Sequence, residues 1–107
     1  MFETRSVGLV MIDADHRHPG AALDLLALMP VLRDGALVVL HDIDLDLIQA
    51  QAGKDAPIED GPKRLFDSWP YEKTRESGGG PSNIGVLRVP ADRVDVARFL
   101  CALIDEP

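Results

Sequence analysis

Two short, continuous apolar runs constrain the fold of this 107-residue chain more than any other feature. They are Val7–Ile12 ("VGLVMI") and residues 36–40 ("ALVVL"). Both are rich in β-branched residues, are bounded by glycine or charge, and lack the polar-apolar alternation of a half-exposed strand. This pattern is typical of strands that are covered on both faces of a parallel sheet. We therefore predict two buried, parallel β-strands.

The segment between these runs has the apolar spacing of a helix. Pro19 suits a first helical turn, the stretch "GAALDLLALMPVLRDG" follows it, and Gly35 supplies a stop. Pro30 lies near the predicted end of the helix, where we expect it to kink or tighten the last turn. Strand, helix and strand form a βαβ unit, whose right-handed crossover makes the two strands a parallel pair.

The middle of the chain predicts a loop, a helix and a hairpin. The loop spans residues 45–60 and holds a short helix over residues 45–51. A further helix begins near Pro62 and carries Leu65, Phe66 and Trp69. The glycine-rich segment "SGGGPSN" then joins two antiparallel strands, one in "EKTRES" and one in "NIGVLRVP".

The last segment predicts a capped amphipathic helix. Asp92 is its expected N-cap. Spacing of three and four residues assigns a sheet-facing set: Val94, Ala97, Leu100, Cys101, Leu103 and Ile104. Together the elements predict one α/β domain over residues 1–107, with a mixed sheet and helices on its faces.

Composition excludes several classes of function. Eighteen acidic and 11 basic residues give a net charge of −7, which disfavours nucleic acid and anionic membranes as partners. A single cysteine, Cys101, cannot form an internal disulfide, which is typical of a reducing cytoplasm. The sequence has neither an apolar run of membrane-spanning length nor the layout of a signal peptide. We expect a soluble, cytoplasmic protein.

Titratable residues follow both predicted strands where each strand ends. "DADH" after the first run supplies Asp13, Asp15 and His16, and "HD" after the second supplies His41 and Asp42. The carboxyl ends of parallel strands meet at one edge of a sheet, so we expect these side chains to share a rim. The alternative is that Asp13 and Asp42 only cap the turns after their strands.

These residue types suit metal-assisted acid-base chemistry. Asp13 and Asp42 could share Mg²⁺, Mn²⁺ or Ca²⁺, which prefer oxygen ligands. His16 could act as a general base, because imidazole titrates near neutral pH. His41 could be a ligand, a base or an orienting group. We expect His18, beside Pro19, to be an exposed cap residue.

Residues 7–44, "VGLVMIDADHRHPGAALDLLALMPVLRDGALVVLHDID", resemble part of the class I S-adenosylmethionine-dependent methyltransferases. The matching part is the fourth and fifth strands with their connecting helix. The similarity is greatest to the family whose pattern runs "IDGDHSYEG…DL…WLPLLRPGG…HDY". "NIGVLRV" and the glycine hairpin before it look like the antiparallel sixth and seventh strands of that fold. The resemblance implies a partial Rossmann-like methyltransferase fold.

The resemblance also implies residue roles. In cation-dependent O-methyltransferases of the catechol and caffeoyl-CoA type, the positions of Asp13 and Asp42 hold metal carboxylates. His16 stands where those enzymes place a catalytic lysine, and Asp15 matches a position close to the cofactor. Ile43 replaces an asparagine that supplies a third metal ligand. The implied cofactors are S-adenosylmethionine and a divalent cation, and the implied substrate is a small-molecule methyl acceptor.

The glycine-rich loop and the acidic ribose ligand of such methyltransferases precede the part of the fold that this chain resembles. The chain is therefore expected to be a C-terminal half that is inactive alone and is completed by a longer parent chain or a partner. Without that half, Val7–Ile12 is an apolar edge strand, which predicts a homo-oligomer through this edge, a covering segment folded back over it, or poor solubility. Two alternatives stay open: a non-catalytic dimerising module, and a small metal-dependent hydrolase that uses Asp13, Asp42 and His41.

Overall fold

A computed structural model describes residues 6–12, 18–41, 43, 61–75 and 84–107. It confirms the α/β class. In chain order the elements are β1 (Val7–Ile12), α1 (Gly20–Leu28), β2 (Leu32–His41), α2 (Gly61–Ser68), β3 (Lys73–Arg75), β4 (Ile84–Arg88) and α3 (Arg93–Ile104). The short helix predicted over residues 45–51 lies outside the described residues. Within the described part of the chain, no helix is long and apolar enough to cross a membrane.

The four strands form one mixed sheet in the order β1-β2-β4-β3. β1 and β2 are parallel, as the βαβ pattern predicts, and Ile12 pairs with Leu40. β4 runs antiparallel to both β2 and β3, which confirms the predicted antiparallel pair. The long strand β2 is therefore central, and β1 lies at an edge of the sheet.

One face of this sheet carries the core, and the other is open. Directly paired residues of neighbouring strands point to the same side of a sheet. The buried strand residues that share a side are Ile12, Ala36, Val38, Leu40 and Leu87. These residues form one hydrophobic cluster with the buried residues of α1, α2 and α3, so the described helices all pack on this face. We call it the helix face, and the opposite side the outer face.

The outer face corrects one prediction about β1. Leu9 and Met11 lie on it and are 63% and 61% exposed, so the apolar run Val7–Ile12 is not covered on both faces. A continuous apolar run signals two covered faces only when another layer lies on each of them. In β2, the outer-face residues Leu37 and Val39 are half-buried.

Helix α1 is shorter than the sequence predicts. It ends at Leu28 with Met29 as its C-cap, one residue before Pro30. Proline lacks an N–H and disfavours helical geometry in the residue before it, so here it ends the helix rather than kinking its last turn. Gly35 is therefore not the helix stop. It has a φ of 77° and lies in β2, where the register with β1 shifts.

Helix α2 confirms its predicted position and brings large side chains onto the sheet. Leu65, Phe66 and Trp69 are at most 4% exposed. A Cβ on Gly85 of β4 would lie only 2.6 Å from Cδ2 of Phe66, so the ring packs directly against the glycine backbone. Trp69 also makes an edge-on contact with Tyr71, at a centroid distance of 5.0 Å.

Helix α3 confirms its cap and corrects its buried face. Asp92 accepts a hydrogen bond from Asp95 N–H at 3.1 Å, as an N-cap should. The fully buried residues are Val96, Leu100 and Leu103, whereas Val94 and Cys101 of the predicted set are exposed. The helix contains two overlapping apolar stripes, and packing selects the one that begins at Val96.

Candidate functional site

The predicted site belongs to the end of the sheet where β1 and β2 both finish. Ile12 pairs with Leu40, so β1 and β2 finish at the same end of the sheet. The four residues chosen as metal, catalytic and cofactor groups, Asp13, Asp15, His16 and Asp42, lie outside the described residues. Their roles therefore stay predictions, whereas the shared edge that they follow is part of the described sheet.

His41 and Ile43, on either side of Asp42, have different surroundings. His41 is the last residue of β2, is half-buried, and pairs with Ile84 on the outer face. Ile43 is 1% exposed, and its Cδ1 lies 3.1 Å from the point that a Cβ on Gly85 would occupy. The side chain at position 43 therefore packs in the core, so this position supplies packing rather than a ligand.

His18 has a structural contact instead of the expected exposed cap position. The N-cap of α1 is Pro19, and the imidazole of His18 is half-buried. Its Nε2 lies 3.2 Å from the carbonyl oxygen of Glu106, which requires the Nε2–H tautomer for a hydrogen bond. Arg64 of α2 donates to the carbonyl oxygen of Pro107 at 2.9 Å. The last residues of the chain are thus bound to α2 and to the residue that precedes the N-cap of α1.

Two glycines within the strands, Gly8 and Gly85, do not form a cradle for a nucleotide-like cofactor. A Cβ on Gly8 would meet the guanidinium of Arg33 at 2.7 Å, and one on Gly85 would meet Phe66. A phosphate- or ribose-binding glycine loop needs open backbone beside the carboxyl end of a strand. Neither glycine offers it, because a side chain of this chain already lies over each.

A divalent cation has no preformed cage in the described part of the chain, where no three His, Cys, Asp or Glu side chains cluster. Asp13 and Asp42, the predicted metal ligands, lie outside that part. The expectation of a metal therefore depends on those two carboxylates.

A small cleft on the outer face does not compete with the strand ends as a cofactor site. Its volume is about 90 Å³, and it is lined by Leu37, Glu72, Lys73, Thr74, Val86 and Arg88. Cofactor pockets usually enclose about 300–1,000 Å³. The cations of the cleft are also engaged: Arg88 pairs with Glu72, and Lys73 donates to the Phe66 carbonyl oxygen at 2.8 Å.

Burial and neighbouring carboxylates shift the pKa of Tyr71. Desolvation by burial, a hydrogen bond to the Asp95 carboxylate, and the negative charges of Asp95 and Asp92 raise its pKa from 10.0 to about 12. All of these causes disfavour the phenolate. The phenol links the segment before β3 to the first turn of α3, which is a structural role.

Arg93 of α3, which no sequence pattern singled out, contacts the segment that joins α1 to β2. Its guanidinium donates to the carbonyl oxygens of Met29, at 2.9 Å, and Leu32, and it pairs with Asp34 at 3.0 Å. These bonds satisfy carbonyl groups at the end of α1 and the start of β2. The partners lie about 60 residues away in sequence, so no local pattern could have revealed them.

Residues 1–43 match a protein-family model described as a methyltransferase domain. The matched stretch contains β1, α1, β2 and the predicted residues Asp13, Asp15, His16 and Asp42. No curated protein and no solved structure matches the chain. The family match supports a methyltransferase domain and suggests S-adenosylmethionine as its cofactor.

Proposed function

We propose that this chain forms part of an S-adenosylmethionine-dependent methyltransferase that methylates an oxygen atom of a small molecule. The observation that carries the proposal is the methyltransferase match over residues 1–43. The parallel pairing of β1 with β2 supports it, because chemistry in open α/β sheets gathers where the carboxyl ends of neighbouring strands meet. The oxygen acceptor is inferred from the likeness of "IDADH" and "HD" to cation-dependent enzymes.

The proposed roles follow from the chemistry of each side chain. His16 takes the proton of the acceptor hydroxyl as a general base. Asp13 and Asp42 hold a divalent cation, whose chemistry is to lower the pKa of a hydroxyl bound to it. Asp15 contacts the cofactor. The core position of Ile43 leaves two protein carboxylates as ligands, a number that suits Mg²⁺ because this ion keeps several waters or substrate oxygens.

The proposal requires a second source of cofactor contacts. The side chains of Arg33 and Phe66 cover Gly8 and Gly85, so neither of these two glycines offers an open cradle. We infer that the main cofactor-binding half comes from other sequence, either on the same polypeptide or on a partner. The chain alone should then bind S-adenosylmethionine weakly and transfer no methyl group.

An amide NMR titration with S-adenosylmethionine tests the cofactor assignment. Millimolar cofactor should shift the amides that follow β1 and β2, and Asp15→Asn should reduce these shifts. Asp67→Asn, an exposed carboxylate on α2, is the matched control and should leave them unchanged. Absence of shifts at the strand ends contradicts the cofactor assignment, whereas micromolar affinity contradicts the need for a second half.

Thermal unfolding in Mg²⁺ tests the metal carboxylates separately. At tenfold excess over its dissociation constant, a bound ion stabilises the folded state by about 1.4 kcal/mol. The Asp13→Asn/Asp42→Asn variant should lose this stabilisation, and the charge-matched Asp67→Asn/Asp105→Asn variant should keep it. Equal Mg²⁺ responses in all three proteins would refute the metal site. A Mg²⁺ response without any cofactor-induced amide shift favours the hydrolase alternative.

A further inference from the structure

We propose that Arg75, the last residue of β3, binds an anionic group of the methyl acceptor, which makes the acceptor a hydroxylated carboxylate. The inference rests on the proposed function, because that function puts the hydroxyl of the acceptor at the end of the sheet that Asp13 and Asp42 follow. It depends on β3, which lies at the side of the described sheet away from β1, so it holds whatever covers β1.

Arg75 lies in the same row of the sheet as the last residues of the β1–β2 pairing. Ile12 of β1 pairs with Leu40 of β2. Leu40 pairs with Gly85 of β4, which in turn pairs with Arg75. Because β4 is antiparallel to both of its neighbours, β3 runs in the same direction as β1 and β2, and all three finish at this end of the sheet. Arg75 is therefore at the same end as the predicted site residues.

The guanidinium of Arg75 is held beside the ring of Phe66, on the helix face. Its central carbon lies 5.4 Å from the centroid of that ring, which is a cation–π distance. Only β4 separates β3 from β2, so two strand spacings put about 10 Å between the end of β2 and the backbone of Arg75. The arginine side chain and a small hydroxy acid can bridge this gap together.

Lys73, the other cation beside this ring, has a structural role. Its Nζ lies 5.1 Å from the centroid of the Phe66 ring and donates to the carbonyl oxygens of Phe66 and Asp67 at 2.8 and 3.1 Å. These bonds satisfy carbonyl groups at the end of α2. Because Lys73 already binds the end of α2 and like charges repel, packing alone does not explain a second cation beside the ring. A ligand at the end of the sheet does explain it.

Charge and shape favour a carboxylate as the group that Arg75 binds. A planar guanidinium forms two parallel hydrogen bonds with a carboxylate. The chain carries a net charge of −7, and carboxylates follow both β1 and β2, so an anionic acceptor needs a cation here to offset repulsion. The other arginines of the described strands lie towards the opposite end of the sheet, since Arg88 pairs with Leu37 and Arg33 is the second residue of β2.

Amide NMR titrations with para-hydroxybenzoate and para-hydroxybenzyl alcohol test the anion contact. The two probes share a ring and a hydroxyl and differ in charge. In Mg²⁺, the acid should shift the amide of Arg75 and bind about fivefold more tightly than the alcohol, a factor that suits an exposed ion pair. Arg75→Gln should abolish this preference, and Arg75→Lys should keep part of it. Arg98→Gln, which removes an exposed arginine on α3, is the matched control and should keep all of it.

Benzoate, which lacks the hydroxyl, separates this proposal from the proposed function. Its binding should depend on Arg75 in the same way. Asp13→Asn/Asp42→Asn should remove the advantage of para-hydroxybenzoate over benzoate and leave the effect of Arg75→Gln intact.

Two results overturn the anion contact: a wild type that does not distinguish the acid from the alcohol, and equal weakening of acid binding by Arg75→Gln and Arg98→Gln. A preference that depends on Arg75 but not on Asp13 and Asp42 supports the anion contact and contradicts the metal carboxylates of the proposed function.

Discussion

Gly85→Ala perturbs the contact between Gly85 of β4 and the Phe66 ring, through which α2 packs on the sheet. The added Cβ would lie 2.6 and 2.7 Å from two ring carbons of Phe66 and 3.1 Å from Ile43 Cδ1. Phe66 is only 4% exposed, so its ring has little room to move. Lys73 Nζ also lies 5.1 Å from the centroid of the Phe66 ring and donates a hydrogen bond to the Phe66 carbonyl oxygen.

Two opposing effects set the size of the change. Overpacking a well-packed core costs about 1–3 kcal/mol. Replacing glycine by alanine reduces the entropy of the unfolded chain and returns about 0.4–1 kcal/mol. We therefore expect Gly85→Ala to lower the free energy of unfolding by about 1–2 kcal/mol, which lowers Tm by roughly 4–10 °C in a domain of this size.

Urea unfolding provides the measurement, and Gly8→Ala provides the matched control. A Cβ at Gly8 of β1 also makes a short contact, but with the guanidinium of Arg33, the flexible end of an exposed side chain. Gly8→Ala should thus change stability by less than about 0.5 kcal/mol. Combining Gly85→Ala with Phe66→Leu should recover part of the lost free energy as a coupling term. If the two glycine variants have equal midpoints, the steric argument is wrong.

Two further predictions concern other described contacts. Arg93→Gln should lower the free energy of unfolding in urea by about 2–3 kcal/mol, because it removes charged hydrogen bonds to the end of α1. The exposed Arg98→Gln should change it by less than about 0.5 kcal/mol. Equal changes in the two variants would show that the guanidinium bonds of Arg93 are unimportant. The pKa of Tyr71 is raised to about 12 in the folded state, so the stabilisation tied to its neutral form is complete below pH 10 and is lost as pH rises towards 12. Tyr71→Phe should therefore flatten the dependence of the free energy of unfolding on pH between pH 10 and 12. An unchanged slope contradicts the role of the Asp95 contact.

Local patterns predicted several elements correctly, for local reasons. The apolar run of β1 has the same bounds in the structure. Asp92 caps α3 because an aspartate at that position reaches an amide three residues on. The segments around the triple glycine pair as an antiparallel β3–β4, and the helix near Pro62 carries its aromatic residues into the core. The βαβ pattern also predicted that β1 and β2 finish at the same end of the sheet, whereas the site residues that follow them come from a motif and stay predictions.

The sequence by itself determined the order and approximate positions of the strands and helices, because turn chemistry, caps and apolar runs act within a few residues. Tertiary packing decided which side of each element is buried. Helix α3 has two apolar stripes, and contact with the core selects Val96 over Val94. Residues 32–35 continue a helical pattern, yet they join β2, since Gly35 N–H bonds the Val89 carbonyl oxygen and Arg93 holds Leu32. All described helices pack on one face, so the run that looks doubly covered in sequence leaves Leu9 and Met11 exposed at an edge. Burial depends on which surfaces meet, and those surfaces come from segments far apart in the chain.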